Sequence, residues 1–286
     1  MKRLLVTGGS GYLGRHILRA AAHAWDAHST HYQHALEVPG CAGHQLDIRD
    51  EAAVEQLFTT LRPDAVIHTA YSKAPALLDD VIVAGTRHVV AAADKVNARL
   101  VHLSSDVIFD GEHAPYTEAD APAPITPYGR AKALAEPIAI AHPNAAIVRT
   151  SLIYGFDPPD ERTCWVLDSI RQGSDITLFT DEYRCPIYAV DLAAAVLELA
   201  AGDYRGILNV AGPQALSRYE FGVLTARAWH VDPAGIIPGL CRESGLIRPR
   251  DCRLDVSRTQ RLLYNTPLRA AATVLQAFQH AGVAPC

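Results

Sequence analysis

Eight residues near the N-terminus restrict the fold more than any others. Thr7-Gly8-Gly9-Ser10-Gly11-Tyr12-Leu13-Gly14 follows the apolar run Leu4-Leu5-Val6 and precedes a segment of helical composition. A chain that turns sharply from strand to helix, with its backbone close to a ligand, needs residues without a Cβ. Gly8 and Gly11 meet that need, and Gly14 allows the helix to pack closely on the sheet. The start of such a helix offers free N–H donors and the positive end of its dipole, which suits a pyrophosphate. In this strand–turn–helix setting the pattern reads as a dinucleotide-binding turn. Gly8, Ser10, Gly11, Tyr12, Leu13 and Gly14 are the contacts expected from it.

The rest of the first half supports that reading. Apolar strands are expected at 3–7, 26–32, 65–69, 99–104 and 145–151, with helical stripes at 12–24, 50–61, 81–96 and 128–141 between them. Pro137 is expected to break or kink the last of these helices. Alternation of strand and helix predicts a doubly wound α/β fold of Rossmann type, with a parallel sheet covered on both faces. After Gly155 the rhythm changes at Pro158 and Pro159, with helices expected at 164–171, 191–201, 217–228 and 269–281 and a strand at 206–210. We expect residues 1–155 to form the dinucleotide-binding domain. Residues 156–286 should mainly form a small substrate lobe, with 187–211 returning to the first domain.

Bulk properties exclude several classes. The chain has 286 residues and a formal net charge of -5, so no general basic field draws it to nucleic acid or an anionic membrane. The apolar run after Lys2 and Arg3 is too short for a signal peptide, and no stretch is long enough to span a membrane. The six cysteines include no CxxC pair, which suits free thiols in a reducing cytoplasm. His28, His31 and His34 lie on a strand running into a loop. That spacing does not bring three imidazoles together, so no metal site is expected.

The choice of dinucleotide turns on the residues at the end of the second strand. An acid there commonly binds the ribose diol of NAD. This chain has Ser29-Thr30-His31-Tyr32-Gln33-His34 instead. A 2′-phosphate is therefore not repelled, and His31 or Arg15 could hold it, which favours NADP(H) over NAD(H). In Leu46-Asp47-Ile48, Asp47 stands where a carboxylate could accept from the adenine amino group, beside Ile48. An acid near the following helix start is the structural alternative.

Tyr128-Gly129-Arg130-Ala131-Lys132 places a tyrosine and a lysine four apart, on one helix face. A phenol of ordinary pKa about 10 is a poor acid–base group at neutral pH, and a nearby ammonium stabilises its phenolate. A hydroxyl at a strand end should polarise the same oxygen. In Val101-His102-Leu103-Ser104-Ser105-Asp106 we choose Ser105, with Ser104 as the alternative. Ser105, Tyr128 and Lys132 together suit hydride transfer between a nicotinamide and a carbonyl carbon.

These motifs resemble the extended short-chain dehydrogenase/reductases, and among them the dTDP-4-dehydrorhamnose reductases and their relatives. The resemblance runs along nearly the whole chain. Ser104-Ser105-Asp106-Val107-Ile108-Phe109-Asp110-Gly111 resembles the family's Ser-Thr-Asp-Tyr-Val-Phe-Asp-Gly segment, which puts Ser105 at the catalytic threonine's place. Further matches are Pro127–Lys132, Arg149–Gly155, Arg184–Ala193 and Arg248–Asp255. The resemblance implies a nucleotide-linked 4-keto-6-deoxy sugar as substrate. It places Thr69, Ala70 and Tyr71 at the cofactor, Val107 and Tyr154 at the sugar, and Arg184 and Arg248 near a diphosphate. Three positions depart from the family pattern: Val107 replaces a tyrosine, Ile82 an asparagine, and His68 the asparagine of an Asn-Ala-Ala-Tyr run.

The resemblance leaves two other readings. One is a sugar-nucleotide epimerase or dehydratase. The other is a non-catalytic NADP-binding regulatory subunit, because the family includes a relative of methionine adenosyltransferase. By the same analogy, a homodimer would form through the helices at 81–96 and 128–141.

Overall fold

The computed structural model describes residues 1–281. Its strands are β1 Arg3–Thr7, β2 Asp26–His31, β3 Cys41–Gln45, β4 Ala65–His68, β5 Arg99–Ser105, β6 Ala145–Thr150, β7 Ile153–Tyr154, β8 Ile176–Phe179, β9 Tyr183–Arg184, β10 Ile187–Tyr188, β11 Gly206–Asn209, β12 Leu216–Ser217 and β13 Ile236–Gly239. Its helices are α1 Tyr12–Ala21, α2 Glu51–Leu61, α3 Gly85–Lys95, α4 Pro127–Ile140, α5 Glu161–Arg171, α6 Ala189–Ala201, α7 Arg218–Ala228, α8 Ser257–Leu262 and α9 Ala271–His280. Seven strands form one parallel sheet in the order β11-β6-β5-β4-β1-β2-β3. This is the Rossmann-type arrangement expected from the strand–helix rhythm. The chain changes winding direction between β1 and β4, where such sheets open a crevice for ligands.

Alternation along the strands builds two apolar layers. Leu4 and Val6 join α1 and α6 on one face, whereas Leu5 joins α2 and α3 on the other. All three are fully buried, each contributing roughly 1.5–3 kcal/mol by removal from water. Asp50 caps α2 by accepting from the Ala53 amide at 3.0 Å, an interaction worth about 1 kcal/mol. Tyr154, Phe156, Phe221, Trp229 and Phe278 form a separate aromatic core between α7, α9 and the β7 segment.

Several local expectations change. Pro137 neither ends nor breaks α4, which continues to Ile140. Its ring lies on the exposed side of the helix, while Ala135 and Ala139 pack in the core. The helix expected from residue 81 begins instead as a widened π-type turn, Asp79–Ala84, before α3. β3 was not anticipated because Cys41-Ala42-Gly43-His44-Gln45 lacks apolar alternation. It is an edge strand held by backbone pairing to β2. No disulfide forms among the described residues, and Cys286 lies outside them.

Candidate active site

The glycine turn closes tightly at the β1–β4 seam. Gly8 has φ +71°, and a Cβ there would lie 2.7 Å from Ala70 Cα. A Cβ on Gly14 would meet the Gly8 carbonyl oxygen at 2.6 Å, so this residue packs against the turn itself. The Gly11 amide donates to the Gly8 carbonyl at 2.9 Å. No side chain caps α1 at Gly11, which leaves the amides of its first turn for an anion. These residues fit a dinucleotide pyrophosphate. Ser10 and Tyr12 are partly exposed at the turn, and Leu13 points into the core. Tyr12 also donates to the Pro158 carbonyl at 3.1 Å, which holds the segment after β7 beside the turn.

Thr69 fastens the opposite wall. Its amide and hydroxyl both donate to the Thr7 carbonyl, at 3.1 and 2.7 Å. Tyr71 is half exposed, with its ring 6.2 Å from that of Tyr128 in an edge contact. The fold therefore brings the glycine turn, Thr69–Tyr71 and Tyr128 to one crevice.

At the end of β5 the two serines part. Ser104 is buried and donates to Glu136 at 2.6 Å, away from the crevice. Ser105 is less buried. Its hydroxyl donates to Asp106 at 3.3 Å and also acts on the Tyr128 phenol. A glycine explains why the two segments meet: a Cβ on Gly129 would lie 2.1 Å from the Val107 carbonyl oxygen. The start of α4 can thus press against the 3-10 turn Asp106–Ile108, placing Tyr128 beside Ser105. Thr126 caps that helix by accepting from the Gly129 amide at 3.1 Å.

Lys132 lies one turn further along α4. It is buried and donates to the Leu103 carbonyl at 2.9 Å. Burial lowers its pKa to about 8, against the raising effect of Glu136. Tyr128 behaves differently from the simple expectation. Burial raises its pKa, Tyr71 and Asp106 raise it further, and only the Ser105 hydroxyl pulls it down. The phenol is therefore held as an acid in this arrangement, and the Lys132 ammonium is engaged with backbone.

Other expected site residues have different surroundings. Both oxygens of Asp47 are occupied by Arg49. Ile48 is buried against Gly85, and His31 is partly buried at the end of β2. Tyr154 is 1% exposed within the aromatic core. Arg184 is buried and donates to the Tyr183, Arg250 and Pro249 carbonyls. It also lies 3.7 Å from Asp106 and 3.3 Å from Glu182. Arg248 remains partly exposed and pairs with Glu182 at 3.2 Å. The departures at His68 and Ile82 are internal. His68 joins Thr7 at 2.6 Å and Thr86 at 3.2 Å, and Ile82 is 1% exposed.

The sequence reading missed Arg218. Its guanidinium has no hydrogen-bond partner among the described residues and lies near Glu182, Arg162, Arg184 and Arg248. Its pKa is lowered to about 10, first by burial and then by the three neighbouring arginines, against the raising effect of Glu182. An anion would relieve this crowding of cations. The capping box at Ser217–Glu220, which fixes the start of α7, was the available signal for its position. Among the described residues, no group of three or more His, Cys, Asp or Glu could hold a metal, and no helix is long and apolar enough to cross a membrane.

Comparison with known proteins agrees with this architecture. The family model described as the RmlD substrate binding domain matches residues 1–281. The chain is 30% identical to a dTDP-4-dehydrorhamnose reductase from Mycobacterium tuberculosis, covering 96% of this chain and 93% of that protein. It is 28% identical to methionine adenosyltransferase 2 subunit beta from Danio rerio, covering 98% and 92%. The crystal structure of a hypothetical dTDP-4-dehydrorhamnose reductase from Sulfolobus tokodaii superposes with a TM-score of 0.82 at 29% identity, covering 94% of this chain and 97% of that one. By the match over nearly its whole length, and as its motifs foreshadowed, this chain belongs to the RmlD substrate binding domain family of extended short-chain dehydrogenase/reductases.

Proposed function

We propose that the protein is an NAD(P)H-dependent reductase of a carbonyl substrate, most consistent with a nucleotide-linked 4-keto-6-deoxy sugar. The observation that carries this reading is the meeting of Ser105 and Tyr128 beside the glycine turn. A bound nicotinamide would supply the hydride. The chain's own residues handle the oxygen: Tyr128 gives the proton, Ser105 orients the carbonyl by hydrogen bonding, and Lys132, one turn along the same helix face, completes the set.

Gly8, Ser10, Gly11, Tyr12, Leu13 and Gly14 form the proposed pyrophosphate seat. His31, Asp47, Ile48, Thr69, Ala70 and Tyr71 lie along the remainder of the proposed cofactor site. We favour NADP(H), because no acid follows β2 directly. Residues 1–155 and 187–211 serve the dinucleotide, and the rest mainly the substrate. We assign Val107 to the sugar side, and Arg248 with Arg218 to the diphosphate. The buried and fully engaged Arg184 supports that pair. We assign the protein to the cytoplasm as a homodimer through the outer faces of α3 and α4, the latter exposing Leu134 and Ile140.

The test is oxidation of NADPH with a dTDP-linked 4-keto-6-deoxy sugar. Turnover that consumes NADPH in proportion to product supports the reductase. Turnover without net consumption supports the epimerase or dehydratase reading. Arg218→Ala should raise KM for the sugar nucleotide about tenfold and leave KM for NADPH unchanged. The similarity to a methionine adenosyltransferase subunit favours one second reading, a nucleotide-binding regulatory subunit. Tight NADPH binding without turnover of any sugar nucleotide would favour it.

A further inference from the structure

The third β-strand ends in Gln45, and the chain then passes Asp47 and Arg49 before entering α2. Arg49 is held on two sides. Asp47 accepts from its Nε at 2.9 and 3.0 Å, from its Nη2 at 2.6 Å and from its backbone amide at 3.0 Å. Nη2 also donates to the Tyr32 hydroxyl at 3.1 Å, and the guanidinium carbon lies 5.4 Å from the centre of the Tyr32 ring. A guanidinium has five N–H groups in a rigid plane. Nε and Nη2 are committed to Asp47 and Tyr32, whereas Nη1 has no partner among the described residues. Its two N–H groups remain in a fixed orientation, on a side chain about one-third exposed.

The surroundings select the ligand. Tyr32 directly follows β2, the strand whose end meets the adenosine ribose when a dinucleotide lies on the glycine turn. Between Asp26 and Asp47 the one acidic residue is Glu37, which is exposed. Asp47, which could have repelled an anion, is neutralised by the same guanidinium that it orients. A fixed pair of N–H donors beside the residue that follows β2, with the local acid already paired, matches a phosphate on the ribose 2′ oxygen.

We infer that Arg49, braced by Asp47 and Tyr32, seats the 2′-phosphate of NADP(H) and sets the choice between the two dinucleotides; this rests on reading the glycine turn as a nicotinamide-dinucleotide site. Asp47 is then a positioning residue for Arg49 rather than a direct partner of adenine. Arg49 is a specificity-determining side chain that sequence spacing alone did not mark.

The test is calorimetric titration of the full chain with NADPH and NADH, for the wild type, Arg49→Ala and Asp47→Asn. Arg49→Ala should weaken NADPH about tenfold or more while leaving NADH within about twofold. Asp47→Asn should move NADPH in the same direction by a smaller factor, because its amide cannot hold the guanidinium as a carboxylate does. Equal weakening of both nucleotides by Arg49→Ala would overturn the inference and make Arg49 a stacking surface for adenine. No change in either affinity would overturn it as well. If the wild type binds neither nucleotide, the glycine-turn reading itself fails, and the inference falls with it.

Discussion

Arg149 on β6 grips both carboxylate oxygens of Glu136 on α4, at 3.1 and 2.8 Å, with the two residues 1% and 4% exposed. Ser104 donates to the same carboxylate. The pair thus fixes the depth at which α4 sits on the sheet, and with it the heights of Tyr128 and Lys132. Removing one member leaves a buried charge alone. Glu136→Ala should cost about 3–5 kcal/mol in denaturant unfolding. Replacing both with apolar residues of similar volume should cost far less. Equal losses in the single and double variants would show that packing, not charge, holds this junction.

Lys132 would give the proposed reaction an alkaline limit. Its pKa is lowered to about 8 from 10.5 by burial. If the ammonium supports Tyr128, kcat should fall as pH rises through about 8. Glu136 raises the lysine pKa, so Glu136→Gln should move this fall to lower pH. The stability effect has the opposite direction. Between pH 8 and 10.5 the unfolded chain holds the lysine proton more tightly, so this group opposes folding less as pH rises through that window. A pH–rate profile beside pH-dependent unfolding would separate the two effects.

Tyr128→Phe removes the proposed proton donor and keeps the ring. We expect kcat to drop about 10²–10⁴-fold, with the NADPH dissociation constant within a few fold of wild type. Stopped-flow turnover and calorimetry of the same sample test both halves. Loss of nucleotide binding would assign the phenol to the cofactor site rather than to proton transfer.

His68 should sensitise the fold to acid. Its pKa is lowered to about 3 from 6.5, first by burial and then by Lys132. As pH falls below 6.5 the unfolded chain takes up a proton that the folded chain refuses, so this group's stability is progressively lost towards pH 3. His68→Asn should flatten the stability difference between pH 7 and 4. Parallel pH curves for the two proteins would exclude His68 as a source of acid lability.

Short-range patterns carried most of the fold and the candidate site. Glycines at fixed spacing, with a strand before and a helix after, leave few alternatives for residues 7–14. Tyr128 and Lys132 share a face at any point along a regular helix. The features that escaped the sequence depended on partners distant in the chain. Arg49 is close to Asp47 in sequence, but its bond to Tyr32 requires the β2–β3 pairing, and β3 has no apolar alternation to reveal it. Arg218 and Arg184 look equivalent as isolated cations. Only the folded lobe surrounds Arg184 with carbonyls and leaves the Arg218 guanidinium without a hydrogen-bond partner among the described residues. Tyr154 follows a family motif, but its ring faces Phe156 and Phe221 in a closed aromatic core. Pro137 reads locally as a break, although the burial of Ala135 and Ala139 keeps α4 in one piece.

The sheet closes in an order that matters while the protein is being made. β6 gains its outer partner, β11, only after the intervening chain has been synthesised. A nascent chain that has emerged from the ribosome as far as Thr150 therefore presents an apolar strand with an open edge, and the cover arrives when Asn209 has cleared the exit tunnel. During that interval the growing protein is most exposed to pairing with its neighbours on the polysome.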